Sequence, residues 1–525
     1  MLQRLLLFIT VWLLLPPCGA ICATYYVSQS GSDPATLFME ATSPGNAASL
    51  SEYVLNASNV LSPGDTVYFM GEFNIAVPQY NGIIPIISGG EDGNPIYYKS
   101  LSADPAILNG QYGDVARGML NSYVLMSTVP SGPGNNGVDN IEVEGFWFKN
   151  IVSTTESTVI YAVGTSNATF KNLKGTDYKP SEETPGMVAR AGAWITVDPY
   201  ETELDSAGET FIRIIDCNFE APHDEVIATQ YSGSNWQLKI SGSTLNCTGC
   251  NSGWINAGSD GVRLLEITDS ILFGNADLLN APANSIFIFE SNRLYNGGIY
   301  AEGFQDIYLK NNKIYVDSDS FAEAKHTIDL TSDNTPHYVE IWHNSAYYTT
   351  NESGGPGFVD LSFSGEVHGS IYNNSVSKGL FGVQTYTGTS PDDLQVVALN
   401  AYDTRFGALR ENTALIGTKS DITSVDPLYT DTNNATKSNG EMGDLRLQAN
   451  SPLIDAGYAI PDVDYSTATD ILGHMRLWPA QGAPDLGAYE AGSQDSYGNE
   501  DGKKMANQAG MTSIRLAPLA VETMN

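Results

Sequence analysis

A short phrase recurs at steps of 21 to 32 residues between residues 214 and 402, and it constrains the fold more than any other feature. It consists of an apolar residue, two variable residues, a small residue or asparagine, one variable residue and a second apolar residue. The copies span residues 214–219, 240–245, 267–272, 309–314, 341–346, 371–376 and 397–402, with a looser copy at 288–293. A repeat of this length with no helical pattern inside it predicts one coil of a β-solenoid, because a single coil cannot bury its own apolar face.

The small or asparagine position of the phrase suits the tight bend that follows a strand. Asparagine side chains stacked in successive coils can hydrogen-bond to one another along the solenoid axis. We therefore expect ladders of polar side chains to accompany the stacked strands.

A second strand precedes most copies of the phrase by about 11 to 15 residues. Aligned on an aliphatic residue that points inward, these strands place the next residue on the outer face, because strand side chains alternate. The outward column reads Asn256, Tyr300, Asp329, Asp360 and Gln384, with Leu279 interposed for the intervening coil. Adjacent coils lie about 4.8 Å apart, so Asp329 and Asp360 should be near neighbours on one exposed sheet.

The composition supports a folded, turn-rich β protein that carries a large acidic excess. The chain has 525 residues, 51 glycines, 42% hydrophobic residues, and 60 acidic against 25 basic residues, for a net charge of −35. This charge argues against nucleic acid as a partner, because such binding needs a basic surface. A polyanionic substrate would need a local basic pocket or a bridging Ca²⁺, and the excess can also serve only to solvate the protein.

The amino terminus has the pattern of an export signal. Residues 1–23 contain one arginine before an apolar run and then small residues, which predicts a signal peptide. Cys18 and Cys22 raise lipidation as an alternative, although two prolines directly before Cys18 fit a lipidation site poorly. No other segment has the length and apolar character of a membrane span, so we expect a secreted or cell-surface protein.

Three cysteines follow the signal peptide, at Cys217, Cys247 and Cys250. In an oxidising compartment they allow one disulfide and leave one thiol. Cys217 and Cys247 lie about one coil apart, which makes a bridge between coils one candidate pairing.

Four segments follow the predicted signal peptide. They are an amino-terminal cap with the first coils at 24–110, a parallel β-helix at 111–400, a β-rich closing segment at 401–490 and a polar tail at 491–525. A helix at 50–61 should cover the first exposed end of the solenoid and block edge-to-edge pairing there.

The two ends of the chain resemble known proteins. The runs Tyr25 to Asp33, 63–69, 88–99 and Ile107-Leu-Asn-Gly110 resemble the amino-terminal part of secreted right-handed parallel β-helix proteins, the pectate-lyase-like superfamily. Ser451-Pro-Leu-Ile-Asp-Ala-Gly457, 470–476 and 484–490 resemble the segment that closes many such proteins. The resemblance covers roughly residues 24 to 490. It implies an all-β, right-handed parallel β-helix that engages extracellular polysaccharide or cell-surface glycan.

The pair formed by Asp329 and Asp360 can have one of three roles. Two carboxylates about 5 Å apart can share a Ca²⁺ ion, which prefers oxygen ligands, or act as acid and nucleophile on a glycosidic bond. They can equally be two solvated carboxylates that tolerate each other in water.

The residues around this pair supply further candidates. Lyases of the family that the chain resembles use a Lys or Arg near bound Ca²⁺ to abstract the C5 proton of a uronate, and Lys325 is the basic residue nearest to Asp329 in sequence. Asn256, Tyr300, Glu302, His326 and Gln384 are the candidate contacts to substrate. Trp194 and Trp254 lie beside the same column, where rings can stack on sugars or pack beneath loops. Each of these residues can also serve only the fold or the protein surface, without a role toward substrate.

Two functions from different classes remain open at this point. The first is an exported enzyme that acts on polysaccharide, as a Ca²⁺-assisted lyase or, second to that, a glycoside hydrolase. The second is a non-catalytic protein of the cell surface or extracellular matrix that adheres to glycan or builds a structure. Two long loops, at 178–192 and 198–209, should line a groove beside the sheet, and this groove and the paired aspartates favour the first function. The acidic surface and the lack of a recognisable basic catalytic motif favour the second.

Overall fold

A computed structural model gives the fold. It describes residues 22–32, 36–74, 84–109, 126–127, 138–153, 158–176, 178–180, 193–198, 210–220, 225–229, 236–247, 253–258, 262–279, 281–282, 284–317, 326–332, 337–349, 356–363, 366–385, 394–411, 416–436, 442–460, 463, 465, 468–474, 476 and 483–491. Most of the predicted signal peptide and nearly all of the predicted tail lie outside these residues.

The described residues form one α-helix, α1 (Leu50–Val60), two 3₁₀ turns (Phe38–Glu40 and Pro44–Asn46) and 43 strands. The first twenty strands are β1 (Thr24–Ser28), β2 (Ala48–Ser49), β3 (Thr66–Met70), β4 (Glu72–Asn74), β5 (Ile84–Pro85), β6 (Ile96–Ser100), β7 (Ile107–Asn109), β8 (Met126–Ser127), β9 (Ile141–Glu144), β10 (Trp147–Lys149), β11 (Ile151–Ser153), β12 (Thr158–Val163), β13 (Ala168–Lys171), β14 (Lys174–Gly175), β15 (Tyr178–Pro180), β16 (Ala193–Asp198), β17 (Thr210–Ile215), β18 (Asn218–Glu220), β19 (Glu225–Thr229) and β20 (Trp236–Ser241). The others are β21 (Thr244–Asn246), β22 (Gly253–Gly258), β23 (Val262–Thr268), β24 (Ile271–Phe273), β25 (Ala276–Leu279), β26 (Ile286–Glu290), β27 (Arg293–Tyr295), β28 (Ile299–Glu302), β29 (Asp306–Lys310), β30 (Lys313–Val316), β31 (His326–Ser332), β32 (His337–Trp342), β33 (Ser345–Tyr348), β34 (Gly357–Phe363), β35 (Val367–Tyr372), β36 (Ser375–Ser377), β37 (Val383–Thr385), β38 (Leu394–Val397), β39 (Asn400–Tyr402), β40 (Leu409–Glu411), β41 (Ile416–Ser420), β42 (Tyr429–Thr436) and β43 (Met442–Leu447).

Three long parallel sheets form the body of the protein. The first sheet has fifteen strands in the order β2, β1, β3, β6, β9, β13, β17, β20, β23, β26, β29, β32, β35, β38 and β41. The second sheet runs β39, β36, β33, β30, β27, β24, β21, β18, β14, β10, β7 and β4, and the third runs β40, β37, β34, β31, β28, β25, β22, β19, β16, β12, β8 and β5. Each coil gives one strand to each sheet in turn. The predicted fold, an all-β right-handed parallel β-helix with an amino-terminal cap and a β-rich closing segment, is confirmed.

The recurring phrase marks the bend from the first sheet into the second. Its third residue has left-handed backbone, with φ between 52° and 57° at Asp216, Asp269, Asn311, His343 and Asn373. Aspartate and asparagine adopt this conformation more readily than other residues that carry a side chain. The left-handed turn therefore lies at the third residue, one position before the small or asparagine residue that the sequence predicts there.

The fourth residue of the phrase forms the predicted ladder of polar side chains. Asn292, Asn312, Asn344 and Asn374 stack in successive coils and are buried. The backbone N–H of Asn312 and its side-chain Nδ2 both donate to Asn344 Oδ1 at 2.9 Å, and Asn344 Nδ2 donates to Asn374 Oδ1 at 2.9 Å. The ladder joins neighbouring coils inside the wall, where an unpaired amide would be costly.

Two copies of the phrase begin one residue away from the predicted start. Ile267 pairs with Phe289, and Ile371 pairs with Val396, so these coils start at 289 and 396 rather than 288 and 397. In both coils the neighbouring residue is also apolar. Apolar character therefore could not distinguish the inward position from the outward one.

The core fills the space between the three sheets. Stacked apolar side chains such as Ile214, Ile240 and Ile267 are fully buried and lie in register on adjacent strands of the first sheet. Each such side chain stabilises the fold by roughly 1.5–3 kcal/mol relative to exposure. At the amino-terminal end, α1 lies where the sequence predicts it, and its Tyr53 ring packs edge-on against Phe69 in the core.

From Tyr429 onward the closing segment packs along the outer face of the second sheet. The pair β42 and β43 is antiparallel, and Lys313 of β30 donates a hydrogen bond to the Gly443 carbonyl at 2.9 Å. Further along, the N–H of Ala488 donates to Ser345 Oγ at 2.9 Å. Tyrosine rings of the second sheet and apolar residues of the closing segment form a second core of their own.

The three carboxy-terminal motifs meet in one buried charged cluster. Arg476 donates to the Gly487 carbonyl at 2.8 Å and to Asn311 Oδ1 at 2.7 Å, which fixes it to the β-helix. Asp470 accepts the N–H of Glu490 at 3.0 Å, and Asp485 accepts the N–H of Asp455 at 2.7 Å. These side chains therefore hold the closing segment in place.

The predicted pairing of Cys217 with Cys247 is wrong. Cys217 is a free, buried thiol, whereas Cys247 is disulfide-bonded to a partner outside the described residues. Cys217 directly precedes β18, and Cys247 directly follows β21, with Asn218 paired to Thr244. The two cysteines are thus separated by roughly 13 Å along the strands, about twice the reach of a disulfide.

Candidate functional site

One column of side chains on the outer face of the third sheet forms the candidate site. The strand registers pair Asp277 with Tyr300, Tyr300 with Asp329, Asp329 with Asp360, and Asp360 with Gln384. Asp329 and Asp360 are thus direct partners on β31 and β34, and the predicted adjacency is confirmed. Ile328 and Leu330, on either side of Asp329, point into the core.

The predicted exposure of this column is wrong for part of its length. Asp360 is only 2% exposed and Gln384 is fully buried, whereas Tyr300 and Asp329 are half-buried. On β34, Phe358 is buried as well as the core residue Val359, so this strand is covered on both faces. Alternation predicts only which side chains leave the core, because it holds no information about what covers the outer face.

Asp277, and not Leu279, occupies the intervening coil. The register pairs Asn256 with Asp277 and Ala257 with Leu278, so the strand is offset from the predicted alignment by two residues. Burial raises the pKa of the Asp277 carboxyl. The column therefore carries a third carboxylate, separated from Asp329 by Tyr300.

A small hydrogen-bond network holds the middle of the column. Thr331 Oγ1 lies 3.3 Å from the Tyr300 hydroxyl, which lies 3.5 Å from Glu302 Oε2. Gln384 Nε2 lies 3.4 Å from Asp360 Oδ2. Tyr300, Glu302 and Gln384 are thus gathered at the predicted site, and their predicted roles toward a substrate stay predictions.

Several predicted residues cannot be placed in the site. Lys325 lies outside the described residues, and the side chains of Asn256 and His326 are not described. Asn256 pairs with Asp277 of the column, whereas His326 pairs with Gly357, three residues before the Asp329 and Asp360 pair. Trp194 and Trp254 are fully buried. Their rings therefore pack within the protein, and they offer no surface to a sugar.

The carboxylate end of the site supplies oxygen donors of the kind that Ca²⁺ prefers. Asp329, Asp360 and the buried Gln384 Oε1, which has no hydrogen-bond partner among the described residues, lie on three consecutive strands. Ca²⁺ takes six to eight oxygen ligands. These three side chains have the right kind of ligand atom, but they supply only part of that number. Within the described residues, no group of three or more His, Cys, Asp or Glu side chains is placed to hold a metal ion.

The column ends in a basic group that the sequence analysis missed. Arg410 of β40 pairs with Gln384, and its guanidinium lies 4.7 Å from the ring of Phe406. Arg405 lies 5.3 Å from the same ring. Extension of the outward column by one coil would have identified Arg410 from the sequence.

No helix among the described residues has both the length and the apolar character needed to cross a membrane. No protein-family model and no curated protein matches the sequence.

Solved structures with a similar fold include pectate lyase Pel9A, with a TM-score of 0.42 and 14% identity over 89% of this chain and 96% of that one. A rhamnogalacturonan lyase has a TM-score of 0.36 and 15% identity over 81% and 97%. The GH136 lacto-N-biosidase from Eubacterium ramulus has a TM-score of 0.37 and 10% identity over 77% and 68%. The three parallel sheets themselves show the fold, so the predicted parallel β-helix is confirmed, and the similarity to these solved structures extends to fold alone.

Proposed function

We propose that this chain is an exported β-helix protein that engages extracellular polysaccharide along the outer face of its third sheet. The observation that carries the proposal is the direct pairing of Asp329 with Asp360, flanked one coil away by Tyr300 and Gln384. A carboxylate pair, an aromatic ring and an amide thus stand in one line parallel to the solenoid axis.

The shape of this wall suits a linear polymer. Adjacent coils repeat at about 4.8 Å, so an extended glycan lying along the axis meets one side chain of the column for each coil. Tyr300 offers a ring face for the C–H groups of a sugar, and the carboxylates accept hydrogen bonds from hydroxyl groups.

Two forms of chemistry are compatible with the pair, and we propose the lyase as the first of them. In that form Asp329, Asp360 and Gln384 Oε1 would hold Ca²⁺, which when bound supplies positive charge to neutralise a uronate carboxylate. Lys325 is the proposed base that removes the C5 proton of the uronate. In the second form the two carboxyl groups act on a glycosidic bond, for which their spacing of about 5 Å suits retention of configuration.

Glycan binding without turnover is the second candidate function, and the burial of Asp360 favours it. A carboxylate that is 2% exposed cannot touch a polymer unless the wall opens around it. Asp329 and Tyr300 are half-buried and can make contact in the structure as it stands.

A panel of uronate polysaccharides, incubated with the secreted protein and either Ca²⁺ or chelator, separates these functions. A lyase raises the ultraviolet absorbance as the unsaturated product forms. We expect Asp329→Asn and Asp360→Asn each to lower this rate by about 100-fold or more, because a positioned acid–base or metal-holding group contributes about 10² to 10⁴. The double variant should also lose any Ca²⁺-dependent rise in melting temperature.

The matched control is Asp104→Asn, which makes the same change at an exposed turn far from the third sheet. It should leave both readouts unchanged. Binding of a polysaccharide without product would support the non-catalytic function. Product formation that survives in both column variants would contradict the assignment of the site.

A further inference from the structure

The first sheet carries a second organised surface, on strands β29 and β32. We call it the aromatic face and define it by Asp306, Tyr308, Tyr338, Glu340 and Trp342. The registers pair Asp306 with Tyr338, and Tyr308 with Glu340. Val339 and Ile341, the alternate residues of β32, are buried in the core, so the face looks outward on a different sheet from the acidic column.

The aromatic rings of this face contact rings of neighbouring coils. Tyr308 and Tyr338 lie with ring centroids 6.2 Å apart, and Trp342 stacks on Tyr372 of the next coil at 6.3 Å and 12°. Tyr338 is 38% exposed, among the most open of the large apolar side chains in the described part of the protein. The rings thus present a surface that runs along the solenoid axis.

Polar contacts hold these rings in place. The Tyr338 hydroxyl donates to Glu340 Oε1 at 2.8 Å, and Lys310 Nζ lies 2.6 Å from Glu340 Oε2 and 4.1 Å from the Trp342 ring. Trp342 Nε1 donates to Ser370 Oγ at 2.8 Å. Because the side chains are already ordered, a ligand would lose little binding energy in fixing them.

The charge around the face selects an uncharged ligand. Asp306, Glu340, Glu290 and Glu366 lie on or beside it. Lys310 pairs with Glu340, and His368, the strand partner of Tyr338, lies 3.5 Å from Glu366. The Asp306 carboxyl is half-buried, with the charges of His337 and Glu340 near it, and its oxygens can accept a hydrogen bond from a hydroxyl. A polyanion would be repelled by these carboxylates, whereas a neutral sugar offers hydroxyl donors to them.

We propose that the aromatic face is a second binding surface, for a neutral glycan that stacks on Tyr308 and Tyr338 and donates hydroxyl hydrogen bonds to Asp306. The burial that raises the pKa of the Asp306 carboxyl supports a partly dry acceptor here. This proposal does not depend on the third sheet, and it gives the protein a neutral-glycan surface separate from the acidic column.

The test is calorimetric titration of the full chain with cello-, xylo- and galacto-oligosaccharides, alongside polygalacturonate. We expect at least one neutral oligosaccharide to bind and Tyr338→Ala to weaken its binding about tenfold, or about 1.4 kcal/mol, because the variant removes the stacking ring. Tyr338→Phe, which keeps the ring and removes its bond to Glu340, should retain most of the affinity.

Tyr26→Ala is the matched control, because Tyr26 also stacks on a tyrosine, Tyr68, at the far end of the same sheet. It should bind as the parent does. Binding unaffected by Tyr338→Ala, or binding of polygalacturonate alone, overturns the proposal. Loss in the Asp329→Asn and Asp360→Asn double variant alone would assign the glycan to the third sheet instead. A fall in sedimentation coefficient in Tyr338→Ala, with no glycan bound by the parent, would assign the face to a second copy of the chain and likewise overturn it.

Discussion

The Asn344→Ala variant should unfold with a free energy about 3 kcal/mol lower than that of the parent. Asn344 Oδ1 accepts two hydrogen bonds from Asn312, and its Nδ2 donates to the Leu309 carbonyl at 2.9 Å and to Asn374. Alanine leaves several of these buried groups without a partner, at about 1–3 kcal/mol for each group that no water reaches. Urea unfolding followed by circular dichroism measures the change as a lower midpoint with an unchanged slope.

Two further variants measure how much the asparagine ladder contributes to the free energy of unfolding. Asn344→Ser should cost less than alanine, because Ser270 fills the same place and its N–H and hydroxyl are both bonded there. Asn59→Ala, an exposed substitution near the end of α1, should stay within about 0.5 kcal/mol of the parent. If Asn344→Ala and Asn59→Ala have equal effects, the ladder does not stabilise the stack.

The second large effect concerns pH. The equilibrium constant for attachment of the closing segment to the second sheet should fall about tenfold for each pH unit between pH 6 and pH 9. Burial and the neighbouring Asp485 raise the pKa of Glu490 to about 9, against the partly opposing charge of Arg476. Burial likewise raises the pKa of Asp485 to about 6.

The sign follows from proton linkage. The attached segment keeps a proton on Glu490 that the released segment loses above its ordinary pKa of about 4.5. The stabilisation is therefore complete below that value and is lost as the pH rises to the folded pKa near 9, at about 1.4 kcal/mol per pH unit for one proton. Asp470 and Arg476 share the same cluster, where Arg476 lies 3.8 Å from Glu490 Oε2 and burial lowers the pKa of its guanidinium.

Glu490→Gln provides the measurement, because glutamine resembles the protonated acid. Hydrogen exchange over residues 451–490 should be equal in parent and variant at about pH 4, and the variant should become about tenfold better protected with each pH unit between pH 6 and pH 9. Comparison at equal pH cancels the intrinsic pH dependence of exchange. A protection ratio that does not change with pH would show that Glu490 is ionised in the folded protein.

Much of the architecture follows from local sequence patterns. The spacing of the phrase predicted the coils, its small and asparagine positions predicted the ladder, and the inward aliphatic residues of β31 and β34 placed Asp329 beside Asp360. These features depend on alternation and on backbone turns, and both are properties of a few adjacent residues.

The errors have a common physical origin in contacts between distant parts of the chain. Asp277 took the place predicted for Leu279 because alternation alone does not determine the offset between strands. The depth of Asp360 depends on what lies over β34, and the position of Arg476 against Asn311 joins residues 165 apart in sequence. Short patterns hold no information about such packing.

The candidate site depends on the register of the third sheet, and a cysteine cross-link tests that register directly. The paired variant Asp329→Cys with Asp360→Cys should form a disulfide on oxidation, detected by mass spectrometry of the linked peptides. Neighbouring strands place these Cα atoms about 4.8 Å apart, within the roughly 4.4–6.8 Å that a disulfide spans. Asp329→Cys with Gln384→Cys, two coils apart at about 9.6 Å, should not cross-link. A bridge in the second pair and none in the first would contradict the stacking on which the site depends.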